Sequence, residues 1–275
     1  MAISTRLREL YGRDGIRGVV TGIGRFFYWK SGLRSARNVV GYRLAGPTVS
    51  QTIAEEQVRF VADSTDEYGR YRDFVHEREV LETLVGDLES DDVVFDVGAN
   101  TGVYTVSAAK AIHGIEVVAF EPHPTNRERL SANLQANEVD AMVLEHALTD
   151  ESGSVTLAAP EGDASGGKFS LADSTGTRVI EAEARTGDEL GAAGTGPAPT
   201  VLKIDVEGAE AAVLRGLEDT LGGSQCRRVL CEVHPDLLEA FGDDPAEVET
   251  LLSSAGFDVE VLKHRSDEYF LWGKR

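Results

Sequence analysis

The sequence predicts a doubly wound α/β fold with a mostly parallel sheet, preceded by a basic helical arm. Three observations carry this expectation. Short apolar runs ending in an acid recur along the chain, each followed by a turn and then by helical spacing; the charge changes sign near residue 53; and the last two apolar runs are separated by only a short polar loop. Strand, turn and helix in repetition build a parallel sheet with right-handed crossovers, which places the strand C-termini along one edge.

Residues 1–55 read as the arm and 56–275 as the body. The first 53 residues carry nine bases and two acids, a charge of +7 against −27 for the remainder. Val19, Ile23, Phe26 and Phe27 share one helical face, which suits an anionic membrane surface, self-association, or packing back on the acidic body. Residues 57–75 look extended and turn-rich, and 77–88 (EREVLETLVGDL) place Val80, Leu81, Leu84, Val85 and Leu88 at helical spacing. A strand follows at Val93, Val94 and Phe95, then a helix from Gly102, a strand at 117–120 (VVAF), a helix over about 125–137 behind Pro124, and a strand at 141–148 (AMVLEHAL).

Between 152 and 200 the period changes. Residues 154–159 and 177–185 alternate like antiparallel strands joined by Gly-rich loops, an insertion placed either to cover a substrate or to shield the sheet. The parallel pattern resumes at 201–217 (VLKIDVEGAEAAVLRGL) and 229–235 (VLCEVHP), and a helix covers about 245–254. Residues 257–262 and 268–274 form a terminal hairpin, so the last strand runs antiparallel to its neighbour.

Forty-seven acids face 27 bases, a formal charge of −20, and of those bases 21 are arginine and 6 lysine. Such a surplus excludes a general nucleic-acid binder, because phosphate backbones are repelled. An acid-rich, lysine-poor surface suits a halophilic source, where salt screens self-repulsion. Cys226 and Cys231 supply neither a disulfide framework nor a metal quartet and read as small apolar residues in a reducing compartment. The apolar run at 18–29 is short and broken by Arg25, so the expectation is a cytoplasmic protein, with the arm offering a peripheral membrane contact.

The stretch 93–102 (VVFDVGANTG) carries the functional signal. A buried strand ends in Asp96, Gly98 and Gly102 allow a tight turn and close approach, and the helix that follows aims unpaired N–H groups at the same spot. A carboxylate, phosphate or ribose is expected there. Asn100 stands where a dinucleotide fingerprint needs its second glycine. Glu121, nineteen residues beyond Gly102 at the end of the next strand, suits both hydroxyls of a ribose and so fits any adenosine-containing ligand.

VVFDVGANTG, AFEP, HALTD, LKIDVEGAE and EVHP, in that order, resemble the FkbM family of S-adenosylmethionine-dependent methyltransferases over roughly residues 60–273, the arm lying outside. The resemblance implies a seven-stranded Rossmann-like sheet with an antiparallel last strand, in agreement with the terminal hairpin. It implies S-adenosylmethionine as cofactor, with Asp96, Gly98, Asn100 and Gly102 around its methionine part, Glu121 at the ribose hydroxyls, Ala147 beside the adenine, and Ala99, Thr101, Tyr104 and Pro122 also among the cofactor-binding residues. Thr186, Gly187 and Asp188 stand where such sequences commonly read T-L-D, so the leucine is missing here.

The implied reaction is O-methylation of a hydroxyl on a sugar, glycan or other small molecule. An in-line displacement needs acceptor, methyl carbon and sulfur held in line, and a hydroxyl acceptor must also lose a proton. His234 is the expected general base, since an unperturbed imidazole titrates near neutrality, with Asp205 orienting the acceptor or the base. Asp205, Glu207, Glu210, Glu232 and His234 also offer an oxygen-rich cluster for magnesium, a reading set below the simpler one in which Glu207 and Glu210 complement a helix start. His113, His146 and His264 read as surface or strand-end residues, and His123, next to Glu121, as part of a solvated loop ahead of a cofactor contact. The alternatives are a nucleotide-dependent oxidoreductase, which the glycine pattern and terminal hairpin disfavour, and a non-catalytic module binding a partner through the arm.

Overall fold

A computed structural model describes residues 33–73, 77–159, 170–171, 178–265 and 267–275. Val19, Ile23, Phe26 and Phe27 lie outside these, as does the Gly-rich stretch 162–168. The described chain divides into two compact units, 33–49 with 62–72, and 50–61 with 73–275.

In the first unit, helix α1 (Leu33–Ala45) stops at Gly46, whose φ of +80° is a left-handed cap, and Pro47 prevents its continuation. The helical arm expected to reach residue 55 therefore ends earlier, and β1 (Thr48–Ile53) follows with Val49 and Ile53 buried on one side of an alternating strand. β2 (Glu56–Val61) comes next, and the extended reading of 57–75 fails beyond it, because Thr65–Arg72 is helix α2. The reason is local. Ser64 Oγ accepts from Glu67 N at 3.1 Å and the Glu67 carboxylate accepts from Asp63 N at 2.6 Å, a capping arrangement that S-T-D-E announces. Within this unit Tyr42 meets Tyr68 edge-on, and Gly69 is required because a Cβ would run into the buried Asn38 amide.

The second unit takes in β1 from Ser50, all of β2 and the turn between them, where Ala54 and Glu55 both take positive φ. Helix α3 (Arg78–Asp87) buries Val80, Leu81, Leu84 and Val85 as the spacing predicts. Then come β3 (Val93–Val97), α4 (Val103–Ala111), β4 (Glu116–Phe120), α5 (Pro124–Asn137) and β5 (Met142–Leu144). β6 (Ala147–Leu148), β7 (Gly153–Ala159), β8 (Ser170–Leu171), β9 (Arg178–Arg185) and α6 (Gly187–Ala192) form the insertion. The chain returns through β10 (Val201–Ile204), α7 (Glu210–Arg215), α8 (Glu218–Gly222), β11 (Arg228–Val233), α9 (Pro235–Phe241) and α10 (Pro245–Ser254), and ends with β12 (Asp258–Arg265) and β13 (Glu268–Lys274).

The main sheet has seven strands in the order β12-β13-β11-β10-β3-β4-β5. β11, β10, β3, β4 and β5 are mutually parallel, and β13 runs antiparallel to both β11 and β12. The chain thus builds outward from β3 in one direction and later from β10 in the other, which makes the gap between their C-terminal ends the switch point where ligands bind in such sheets. Leu202, Ile204, Val229, Cys231 and Val233 on the sheet and Val213, Leu214 and Leu217 behind it make the core continuous. Both cysteines are free and buried.

The run 141–148 is two strands rather than the single one expected. β5 pairs with β4 only from Met142 to Leu144, because β4 ends at Phe120 opposite Leu144. Beyond that point no ladder partner remains, and Ala147–Leu148 pairs instead with β9 in a separate sheet, ordered β6-β9-β7-β8. Its β7 and β9 are antiparallel, as the alternation predicts. At the base of the main sheet Arg227 joins Asp87 and the buried Asp92, which also accepts from Thr200 Oγ1. On the far side, Asn137 Oδ1 accepts from Arg59 N at 2.8 Å while its Nδ2 donates to Arg59 O at 2.6 Å, and Asn133 Oδ1 accepts from Val61 N. Amides on α5 thereby serve the free side of β2. Among the described residues no helix is long and apolar enough to cross a membrane.

Candidate active site

The turn after β3 is held from two sides. Gly98 N and Ala99 N both donate to Phe120 O at 3.0 Å, and Asn100, itself at φ +51°, donates its N–H to Glu121 Oε2 at 2.7 Å. Gly98 has φ +76°, and a Cβ there would collide with the Asp205 carbonyl. The close approach expected of this glycine is therefore made by the backbone of the loop after β10. Gly102 caps α4 and lies against Leu130.

Glu121 is buried and occupied: besides Asn100, its Oε1 accepts from His123 N at 2.8 Å and Asn126 Nδ2 at 3.3 Å. Burial pushes its carboxyl up, and these hydrogen bonds oppose the rise. His123 is buried too, preceding Pro124 at the start of α5, and does not lie in a solvated loop.

A cleft of about 750 Å³, counting the space open at its mouth, lies at the switch point. Gly98, Asn100, Glu121, Pro122 and Asn126 form one wall, Asp205, Val206, Glu207 and Ala209 another, and His146, Ala147, Leu148 and Thr149 a third. Val155 and Leu157 of the insertion complete it with apolar surface, so the inserted sheet does contribute to covering the cleft. His146, read as an ordinary strand-end residue, belongs to this lining. The structure thus brings Gly98, Asn100, Glu121, Pro122, Ala147 and Asp205 together, as expected, around one space.

Asp96, Ala99, Thr101, Gly102 and Tyr104 are not among the lining residues. Asp96 is fully buried beneath the turn, where Oδ2 accepts from Thr105 N at 3.0 Å and Thr105 Oγ1 at 2.6 Å. Its Oδ1 lies 3.0 Å from the ammonium of Lys203, a residue that sequence reasoning passed over. Lys203 is only 4% exposed, sits opposite Asp96 in the β3–β10 register, donates to Gly98 O at 3.0 Å, and reaches within 3.7 Å of Asp205 Oδ2. Burial opposes its charge, but Asp96 and Asp205 prevail and hold its pKa above the ordinary lysine value. Tyr104 lies under that ammonium, 5.0 Å from ring centre to Nζ. These residues support the cleft from behind.

His234 is also buried, 3% exposed, and lines a neighbouring pocket with Asp236, Arg265 and Glu268. Its Nδ1 is 2.6 Å from Glu210 Oε1, and Glu210 is fully buried; its Nε2 lies 3.9 Å from Asp205 Oδ1 and 3.8 Å from Glu207 Oε2. Burial disfavours the imidazolium, yet the hydrogen bond to Glu210 and the surrounding carboxylates outweigh it and raise the imidazole to about 9. The near-neutral imidazole expected of a general base is thus replaced by a charged one, because three acids of the cluster read from the sequence, Glu210, Asp205 and Glu207, converge on the ring. Glu232 is pushed up to about 9 by burial and by Asp205 and Glu77, against the pull of Arg265 at 3.3 Å.

At the T-L-D position, Gly187 has no room for a side chain because Leu217 fills the space, and Asp188 accepts from Asp219 N, Thr220 N and Thr220 Oγ1 at the start of α8. This segment is a structural clamp.

The family model of the methyltransferase FkbM domain matches residues 96–259, a span from Asp96 through Glu121, Asp205 and His234. The chain is 34% identical over 218 residues to the hexuronic acid methyltransferase AglP of Haloferax volcanii, covering 79% of this chain and 84% of that protein. It is 32% identical over 218 residues to the 31-O-demethyl-FK506 methyltransferase FkbM of Streptomyces tacrolimicus, covering 69% and 81%. Among solved structures, the methyltransferase FkbM of Methylobacillus flagellatus KT aligns with a TM-score of 0.47 at 16% identity, over 88% of this chain and 60% of that one. With a domain match longer than half the chain and relatives above 30% identity, this protein belongs to the FkbM family of methyltransferases.

Proposed function

We propose that this protein is an S-adenosylmethionine-dependent O-methyltransferase whose acceptor is a hydroxyl of a sugar or glycan, with a hexuronic acid as the favoured class. The observation that carries the reading is the cleft at the switch point, with the buried carboxylate of Glu121 on one wall and Asp205 on another. The residues present fit the donor: a carboxylate for a ribose diol, apolar Leu148, Val155 and Leu157 for a base, and the Gly98 turn for the amino-acid end. S-adenosylmethionine supplies a methyl group on a sulfonium whose charge vanishes on transfer. Glu121 already uses three of its roughly four acceptor positions, so a diol is accommodated by releasing Asn126, the longest contact. Asp205, facing the cleft, orients the acceptor. The hexuronic acid is carried over from AglP, whose name states that substrate.

A second reading, methylation of the uronic carboxyl itself, is favoured by one observation. His234 is held charged around neutrality, so no neutral imidazole stands beside Asp205, and an acceptor carboxylate needs none.

Calorimetry with S-adenosylmethionine and NAD side by side, followed by mass spectrometry of a uronic-acid oligosaccharide incubated with donor and enzyme, tests both. Donor heat, no NAD heat and a gain of one methylene are expected. Alkali-stable methyl supports the hydroxyl, alkali-labile methyl the carboxyl, and NAD heat without donor heat refutes the transferase.

A further inference from the structure

We propose that Asp205, Glu207 and His234 form a site for one divalent cation of the manganese type, set in the wall between the cleft and the neighbouring pocket. The three residues each offer a donor atom, all within 4.8 Å of one another. His234 Nε2 stands 3.9 Å from Asp205 Oδ1 and 3.8 Å from Glu207 Oε2, too far for hydrogen bonds. Those separations lie between the values for adjacent and opposed ligands, about 3.0 and about 4.2 Å, around a cation bound at about 2.1 Å.

The second observation is the histidine. A side chain buried as deeply as His234 ordinarily satisfies both ring nitrogens. Here Nδ1 is pinned by the fully buried Glu210, while Nε2 points between the two carboxylates, 3.9 Å from Asp205 Oδ1 and 3.8 Å from Glu207 Oε2. A carboxylate fixing the far nitrogen is how proteins orient a metal-binding imidazole, and the incoming cation takes the place of the proton that Nε2 carries in the metal-free protein. Asp205 turns Oδ1 toward this point and Oδ2 toward Lys203, so the two charges do not compete for one oxygen. Glu232, His234 and Glu268 make a second candidate triad, but Arg265 already pairs with Glu232 at 3.3 Å and with Glu268 at 3.2 Å. One imidazole with two carboxylates lies between the ligand sets of magnesium and zinc, which points to manganese(II) or a cation like it.

Asp205 and Glu207 line the cleft and His234 lines the neighbouring pocket, so a cation held by all three touches both. There it can bind an oxygen of the acceptor, orient it, and ease loss of a hydroxyl proton. This role deepens the transferase reading and rests on it; the binding site itself does not.

The test is electron paramagnetic resonance titration of manganese(II) alone into EDTA-treated full-length protein. About 1 M KCl shortens the screening length to about 3 Å and suppresses diffuse binding to the acidic surface. One site per chain is expected, weakened at least 10-fold by His234→Gln and by Glu207→Gln, and about 10- to 100-fold by Glu210→Gln through loss of ring positioning. Circular dichroism checks each fold, and Glu207→Gln, at a partly exposed position, keeps the test decisive if the buried variants do not fold. No saturable site, or equal binding by wild type and Glu207→Gln, overturns the proposal. Calorimetry with S-adenosylmethionine on the same metal-free protein separates the two readings: donor heat without a manganese site refutes only the cation, and a manganese site without donor heat refutes only the transferase.

Discussion

Lys203→Met is the substitution that tests how the cleft is supported. Methionine keeps most of the apolar stem and deletes the ammonium. Asp96 is fully buried, and its Oδ1 faces that ammonium at 3.0 Å, while Thr105 continues to hold Oδ2. Removing one member of a buried ion pair strands the other, at a cost of about 3–5 kcal/mol. The loss at Gly98 O, also 3.0 Å from the ammonium, lies within that range, because both contacts are broken by one deletion. Against a total stability of about 5–15 kcal/mol for a typical domain this is a large share. Urea unfolding followed by circular dichroism at fixed salt should show the midpoint falling with the slope unchanged. Adding Asp96→Asn removes the stranded charge and should return about 1–3 kcal/mol. A single variant within about 1 kcal/mol of wild type, or a double variant no more stable than the single, refutes the supporting role of this pair.

Glu121→Gln should weaken S-adenosylmethionine binding about 10- to 100-fold, the loss of about 1.5–3 kcal/mol for a hydrogen bond to a charged group, as read by calorimetry. Gly98→Ala should destabilise the fold by more than about 2 kcal/mol, since the residue needs φ +76° and its Cβ meets the Asp205 carbonyl; an unchanged urea midpoint would contradict that. Burial pushes the Asp92 carboxyl up, but hydrogen bonds from Arg227 and Thr200 prevail and hold it below its ordinary value. A depressed carboxyl stabilises the fold above its unfolded pKa of about 3.9 and loses that contribution as pH falls through the lower folded value. Arg227→Ala should therefore flatten the fall in stability below about pH 4. The surplus of acids leads us to expect unfolding midpoints that rise as KCl is added, and a flat response would remove the halophilic reading.

Repeated local patterns made the frame of this protein readable. Val93–Val97 is apolar but for Asp96 because both of its faces are covered, so its run needed no tertiary knowledge, and the closing hairpin declared itself through loop length. Asp205 and Glu121 were placed correctly at strand ends because a parallel sheet sends all such ends to one side. Lys203 escaped because a lysine in a strand normally points to water, and only the register opposite Asp96 reveals that it does not. The charge of His234 was hidden for the same reason, since Glu210 approaches it from a different segment across 24 residues of sequence. The split of 141–148 depended on where β4 stops. Helix α2, by contrast, carried a visible S-T-D-E cap that outweighed the turn-rich composition around it.

The α5 amides that serve β2 have a consequence for solubility. A strand side left open recruits strands from other molecules, and proteins ordinarily blunt it with charge, proline or a covering helix. Here Asn137 presents donor and acceptor to Arg59 as a neighbouring backbone would, and Asn133 repeats the gesture toward Val61. The vacancy is filled by mimicry from within the same chain, so an Asn137→Leu protein should keep its fold and begin to cluster, in proportion to its concentration.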